Sequence, residues 1–200
     1  MKPIFAFALL CFAALGTCAT FDFENEPVAG HASGVVFSDS GVNLTVRSAG
    51  GWVHVSSLAI ADNQGTKSCF ANARPDIAGN PFSPIDFTFD RDITNATLLA
   101  GDGGNDDDIT ISVTLFDANG VQVGNLVQPY GNTSHGISFQ INQTFRRAVV
   151  DSDTPTNPHS IAAEWSSVTA SPVPEPSLFG TLGIAPLLMN RAKRRKRLTT

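Results

Sequence analysis

Residues 109–120 read Ile-Thr-Ile-Ser-Val-Thr-Leu-Phe-Asp-Ala-Asn-Gly, and the first seven side chains alternate strictly between apolar and polar. A period of two is typical of a β-strand with one buried face and one wet face. Asn119 and Gly120 tolerate positive φ, so the end of this stretch predicts a hairpin turn. The same alternation recurs in residues 42–47 and 137–142. The sequence therefore predicts an antiparallel all-β domain.

Other short apolar runs predict further strands at residues 21–24, 34–37, 52–60, 85–90, 94–100, 121–127, 145–151 and 160–168. About ten strands in about 150 residues suit two packed sheets, so we expect a jelly-roll-like β-sandwich with no second domain. The composition agrees, because 42% hydrophobic and 16% charged residues in a chain of 200 fit one globular domain. It excludes a collagen, a coiled coil and a disulfide-rich miniprotein.

The first 19 residues have the pattern of a signal peptide. Lys2 precedes an unbroken apolar run at residues 4–15, and small residues follow it. Thr17 and Ala19 fit the small-x-small rule, so we expect signal peptidase to cleave between Ala19 and Thr20. In an alternative interpretation, Cys18 becomes a lipidated N-terminus. After cleavage at Ala19 the mature chain has a single cysteine and forms no intramolecular disulfide.

The C-terminal end carries a second targeting pattern. The domain, expected at residues 20–169, is followed by a proline-rich linker at 170–177, an apolar segment at 178–190 and a basic tail at 191–200. As a helix, about 14 apolar residues span about 21 Å, short of a hydrocarbon core of roughly 30 Å. The positive-inside rule places the tail in the cytoplasm and the domain outside. We therefore expect a marginal transmembrane helix with a cytoplasmic stop formed by Arg191, Lys193, Arg194, Arg195, Lys196 and Arg197.

The charge of the chain is unevenly distributed. Between Lys2 and the basic tail lie six cations and all 18 acids, which gives this region a net charge of about −12. Such an acidic surface repels phosphate groups. We therefore expect no nucleic-acid partner and no anionic-lipid partner for the domain.

The tail resembles the PEP-CTERM sorting signal of exported bacterial proteins. Pro174, Glu175 and Pro176 match the recognition motif, the apolar segment matches the membrane helix, and the basic cluster ends the signal. The resemblance implies processing by exosortase, transient anchoring in the inner membrane, and a final place at the cell surface or in a biofilm matrix with exopolysaccharide. The order of segments 21–24, 85–90, 101–104 and 109–120 also resembles sandwich domains found upstream of such tails. An ordinary tail anchor that is never cut is the alternative.

Candidate binding residues in the domain fall into two groups. Asp102, Asp106, Asp107 and Asp108 place four carboxylates on a Gly-rich turn, and hard oxygen ligands on an adaptable loop suit Ca²⁺. Asp22 and Glu24 are a second candidate calcium set. For both sets the alternative is a solvated acidic turn. Aromatic rings can stack on sugars, which makes a carbohydrate platform of Trp52, Tyr130 and Trp165.

Three functions follow from these patterns. The first is a non-catalytic exported matrix protein sorted by exosortase. The second is a calcium-dependent carbohydrate-binding module, and the third is a secreted glycan hydrolase. The sequence contains no Gly-x-Ser-x-Gly elbow and no zinc-binding His cluster, so we expect the protein not to be an enzyme.

Overall fold

The structure is a computed structural model that describes residues 16–56, 67–72, 84–102, 110–130, 136–152 and 161–172. The described residues form strands and turns and contain no helix, and therefore none long and apolar enough to cross a membrane. The strands are β1 (Thr17–Phe21), β2 (Ala29–Ala32), β3 (Val35–Asp39), β4 (Val42–Ser48), β5 (Trp52–Ser56), β6 (Ser68–Asn72), β7 (Ile85–Asp102), β8 (Thr110–Phe116), β9 (Gln122–Pro129), β10 (Ile137–Ile141), β11 (Phe145–Ser152) and β12 (Ile161–Ala170).

All pairings between these strands are antiparallel, which confirms the predicted class. Hydrogen bonds join the 12 strands into one open sheet with the order β2-β5-β6-β12-β7-β11-β8-β9. β1 pairs with β12, β10 and β4 pair with β7, and β3 pairs with β4. The hydrogen bonding therefore does not separate the described strands into the two sheets that the jelly-roll expectation requires.

The 18-residue strand β7 holds this sheet together. Its first half pairs with β4 and β11, and its second half pairs with β12 and β10. Phe145 and Arg147 of β11 lie opposite Ile93 and Thr88, so β7 carries extra residues between its halves. Extra residues on one strand bend it. Residues 90–92 therefore mark a bend in a continuous strand, where the sequence had predicted two strands at 85–90 and 94–100.

Two parts of the sheet meet at this bend. We call β3, β4, β11, β8, β9 and the first half of β7 the first half-sheet, and β10, β12, β6, β5, β2, β1 and the second half of β7 the second half-sheet. Trp165 of β12 contacts Phe87 and Phe89 of the first half-sheet, with ring centroids 5.6 Å and 5.3 Å apart. The stacked ring of Phe145 lies 5.9 Å from Trp165. These rings belong to a single hydrophobic core shared by both half-sheets.

The alternating strands behave as their sequences predict. In β4 and β8, buried and more exposed residues alternate along the whole strand. The hairpin between β8 and β9 is also confirmed, because Gly120 has a φ of 78° and the Asp117 carboxylate accepts hydrogen bonds from the backbone N–H groups of Asn119 and Val121. The short strands β2 and β6 were not predicted, since neither has a period-two pattern in the sequence.

Candidate functional site

The loop that follows β1 forms a tight acidic turn. Phe23 has a φ of 59°, an uncommon value for a residue with a side chain, and its ring is buried against Phe37 at 5.1 Å. The N–H of Glu26 donates to the carbonyl of Phe23 at 3.0 Å, and Oδ1 of Asp22 accepts from the N–H of Glu24 at 3.1 Å. The buried ring and the Asp22 side chain together set the path of the turn.

Lys67 connects this turn to the start of β6 through three hydrogen bonds. Its Nζ donates to the carbonyl oxygens of Glu24 at 2.8 Å and Glu26 at 2.6 Å. Its backbone N–H donates to Oε1 of Glu24 at 2.8 Å. The Lys67 ammonium group therefore binds the backbone carbonyl oxygens of Glu24 and Glu26. These oxygens would otherwise be available as ligands for a bound cation.

Glu164 of β12 is a buried acid close to the turn. The residue is only 3% exposed. Burial, which is the largest cause, and the negative charges of Asp22 and Glu24 together raise the pKa of Glu164 to about 7. Near neutral pH this carboxyl group is therefore divided between its neutral and ionised forms.

A small cavity of about 130 Å³ lies beside the turn, and we call it the acidic pocket. Its acids are Asp22, Glu26 and Asp39, and the buried ring of Phe37 contributes an apolar wall. Glu164 does not line it. Among the described acids, Glu164 is the one whose pKa is strongly raised, and it lies outside the lining of this cavity.

The outer surface of the second half-sheet carries neutral hydrogen-bonding groups. Gln140, Thr97 and Ser167 are direct partners across β10, β7 and β12, so their side chains share one face. The Thr97 hydroxyl donates to Oε1 of Gln140 at 3.0 Å, and the Ser167 hydroxyl donates to the Thr97 hydroxyl at 3.2 Å. Nε2 of Gln140 donates to the Ser138 hydroxyl at 3.3 Å. We call these four residues the hydroxyl-amide strip.

Two of the three predicted sugar-stacking residues are buried. Trp165 is 0% exposed in the aromatic core, and Tyr130 is 3% exposed. The prediction that these two rings form a sugar-binding platform was therefore wrong. Burying a large aromatic ring in the core stabilises the fold more than leaving it exposed on the surface would. Trp52, at the start of β5, is half-buried and retains an accessible surface.

The predicted calcium residues are only partly described. Asp106, Asp107 and Asp108 lie outside the described residues, and Asp102 is the last residue of β7. Asp22 and Glu24 do lie near each other and near Glu164. Even so, no group of three His, Cys, Asp or Glu side chains in the described ranges is arranged to hold a metal ion. A calcium site at 102–108 stays a prediction.

Most of the predicted targeting residues lie outside the described part of the chain. Residues 1–15 and 173–200, which include the Pro174-Glu175-Pro176 motif and the basic tail, lie outside the described residues. The bond between Ala19 and Thr20 lies within β1, where Ala19 is 2% exposed and pairs with Val168. Cleavage there would remove three of the five residues of β1.

The two described cysteines differ in accessibility. Cys18 is exposed, whereas Cys69 is fully buried and burial raises the pKa of its thiol far above the usual range. Neither forms a disulfide. Cys69, beside Phe70, is therefore an apolar filling residue of the core.

Sequence reasoning missed Glu164 and Asp39. Glu164 is the only charged residue in the otherwise apolar run 161–165, and an isolated acid in such a run is a signal for a buried carboxyl group. Asp39 has no such signal, because a single acid at a hairpin is common on any protein surface.

Comparisons with known proteins give distant structural likenesses only. No protein-family model matches the sequence, and no curated protein is significantly similar to it. A DUF4465 family protein from Bacteroides caccae is similar to 77% of this chain over 99% of its own length, with 12% identity and a TM-score of 0.47. A Streptococcus pneumoniae fucose binding module, SpX-3, is similar to 46% of this chain over 69% of its own, with 9% identity and a TM-score of 0.32. Both TM-scores lie below 0.5, so neither likeness bears on function.

Proposed function

We propose that this chain is an exported bacterial surface or matrix protein whose β domain contacts exopolysaccharide without catalysis. Export and sorting rest on the sequence of the two ends, which predicts a signal peptide and an exosortase-processed tail. Signal peptidase and exosortase are then the processing partners. The inner membrane is a transient anchor before the protein reaches the cell surface or the extracellular matrix.

The hydroxyl-amide strip is the observation that carries the polysaccharide contact. Ser138 and Gln140 are exposed, Thr97 and Ser167 are half-buried, and all four side chains are neutral. Hydroxyl and amide groups both donate and accept hydrogen bonds, as sugar hydroxyls do. The strip therefore offers a repeating polar chain a series of partners along one sheet face.

We also propose that the two half-sheets face each other as a β-sandwich. The contacts of Trp165 with Phe87 and Phe145 support this arrangement, because they join β12 to the first half-sheet through the core. In this arrangement the hydroxyl-amide strip lies on the outer face and is available to a large ligand.

Two matched double variants test the polysaccharide contact. Thr97→Val with Gln140→Leu removes the hydroxyl-to-amide bond of the strip. Thr114→Val with Asn125→Leu removes an equivalent bond on the first half-sheet, where the two oxygens are 3.3 Å apart. Co-sedimentation of the mature protein with exopolysaccharide from its host measures binding. We expect the first variant to lose about tenfold in affinity and the second to bind as the unaltered protein does.

The same assay separates the other functions. Equal binding by both variants would contradict a contact through the strip. Binding that disappears with a chelator would favour the calcium-dependent binding module, and release of shortened glycans would establish the hydrolase.

A further inference from the structure

A tight hairpin fixes the position of Asp39. Asp39 ends β3 and pairs with Val42 of β4, and only Ser40 and Gly41 connect them. Both connecting residues have positive φ, 49° and 75°, as the preferred two-residue hairpin requires. The Ser40 hydroxyl donates to Oδ1 of Asp39 at 3.2 Å. This leaves Oδ2 of Asp39 for another donor.

That donor is the backbone nitrogen of Thr20, which lies 2.7 Å from Oδ2 of Asp39. The next residue, Phe21, is 4% exposed, contacts Phe89 at 6.1 Å between ring centroids and pairs with Trp165. Phe21 therefore has contacts of its own, on the C-terminal side of Thr20, that do not involve residues 17–19.

The pocket beside this nitrogen is lined by acids and by no basic residue. Asp22, Glu26 and Asp39 line the acidic pocket together with Thr20, and no lysine or arginine lines it. Among the described residues, no lysine or arginine forms an ion pair with any of these three acids. A positive charge on the Thr20 nitrogen would therefore contact the Asp39 carboxylate, in a pocket that Asp22 and Glu26 also line. Lys67 binds carbonyl oxygens of the same turn but does not line the pocket.

We propose that removal of the signal peptide turns the Thr20 nitrogen into an α-ammonium group that forms an ion pair with Asp39 in the acidic pocket. The inference rests on the proposed cleavage after Ala19. Hydrolysis adds water across the Ala19–Thr20 bond, so that Ala19 leaves as a carboxylate and the Thr20 amine takes up a proton near neutral pH. The new ion pair then holds the shortened β1 in place of the pairing lost with residues 17–19.

Labelling of the α-amine tests the ion pair. The mature protein is purified from its host and treated near pH 7 with an acylating reagent, and the rate at the N-terminal peptide is followed by mass spectrometry. An opposite charge in contact favours the unreactive ammonium form, so we expect labelling about tenfold slower than in Asp39→Asn. Asp86→Asn is the matched control, because it breaks an ion pair with Arg147 on the first half-sheet.

The outcomes are distinct. An equal rate in Asp39→Asn and the unaltered protein, with Thr20 as the first residue, overturns the ion pair alone. A mature chain that begins elsewhere overturns both the ion pair and the proposed cleavage. Added salt provides a test that needs no variant. Salt should screen the ion pair between the Thr20 ammonium and Asp39 and so speed labelling of the unaltered protein. A labelling rate independent of salt contradicts the proposal.

Discussion

Glu164→Gln should remove a pH dependence from the stability of the domain. Glu164 is 3% exposed and its pKa is raised from 4.5 to about 7 in the folded chain, first by burial and then by Asp22 and Glu24. Between these two values the folded form keeps the proton while the unfolded form releases it. The free energy of unfolding therefore falls as pH rises through this window. Glutamine resembles the protonated acid in shape and cannot ionise.

The size of the effect follows from the shift in pKa. One pKa unit corresponds to about 1.4 kcal/mol, so the rise from 4.5 to about 7 means that ionising Glu164 costs at most about 3.5 kcal/mol more in the folded state than in the unfolded state. Below about pH 4.5 the acid is protonated in both states, and the variant should match the unaltered protein. Near pH 8 the variant should be more stable by about 2–3 kcal/mol.

Urea unfolding of the mature protein, repeated at several pH values, measures this difference. Glu26→Gln is a suitable control, because Glu26 is less buried and lines the open acidic pocket. We expect the control to follow the unaltered protein at each pH. Parallel pH profiles for Glu164→Gln and the unaltered protein would refute the reasoning.

Three further comparisons test the core packing and the β3–β4 hairpin. Val113→Asp should unfold the domain, because it places an unpaired charge on the fully buried face of β8, whereas Ser112→Asp on the opposite face should be tolerated. Thermal melting followed by circular dichroism measures both variants. Equal decreases in melting temperature would contradict the assigned faces. Trp165→Ala should cost about 3–5 kcal/mol in urea unfolding because it leaves a cavity in the core, and a cost no larger than that of Trp52→Ala would show that Trp165 is not in the core. Gly41→Ala should lower the free energy of unfolding by about 1–2 kcal/mol, because Gly41 has a φ of 75° that a residue with a side chain adopts only with strain. Steric contact plays no part, since no atom lies within 4 Å of the added methyl group. An unchanged melting temperature would contradict the hairpin geometry.

The strands with one face exposed to water were predicted correctly from the sequence. β4, β8 and β10 alternate because their outer side chains remain in water, and each lies at its predicted position. β6 was missed, because Ser68, Cys69, Phe70 and Ala71 are all buried and a strand buried on both faces has no period of two. The continuity of β7 was also missed. Charged residues at 90–92 suggest a loop, yet Arg91 and Arg146 pair with Asp90 and Asp92 at the bend.

The candidate site was harder to predict than the fold. Aromatic residues suggest sugar platforms by type alone, and only tertiary packing shows that Trp165 lies in the core. Glu164 and Asp39 acquire their roles from residues more than 15 positions away, through the turn after β1 and the β3–β4 hairpin. Such contacts depend on topology, which a single sequence does not specify.

Mass spectrometry of the protein recovered from its host is the most direct measurement of the central claim, because it gives both ends of the mature chain at once. We expect the mature chain to begin at Thr20 and to lack everything after Glu175 or Pro176, and we expect Glu175→Ala to leave the tail attached. Recovery of unaltered protein that retains residues 191–197 would contradict sorting by exosortase and would show that the tail is a permanent anchor.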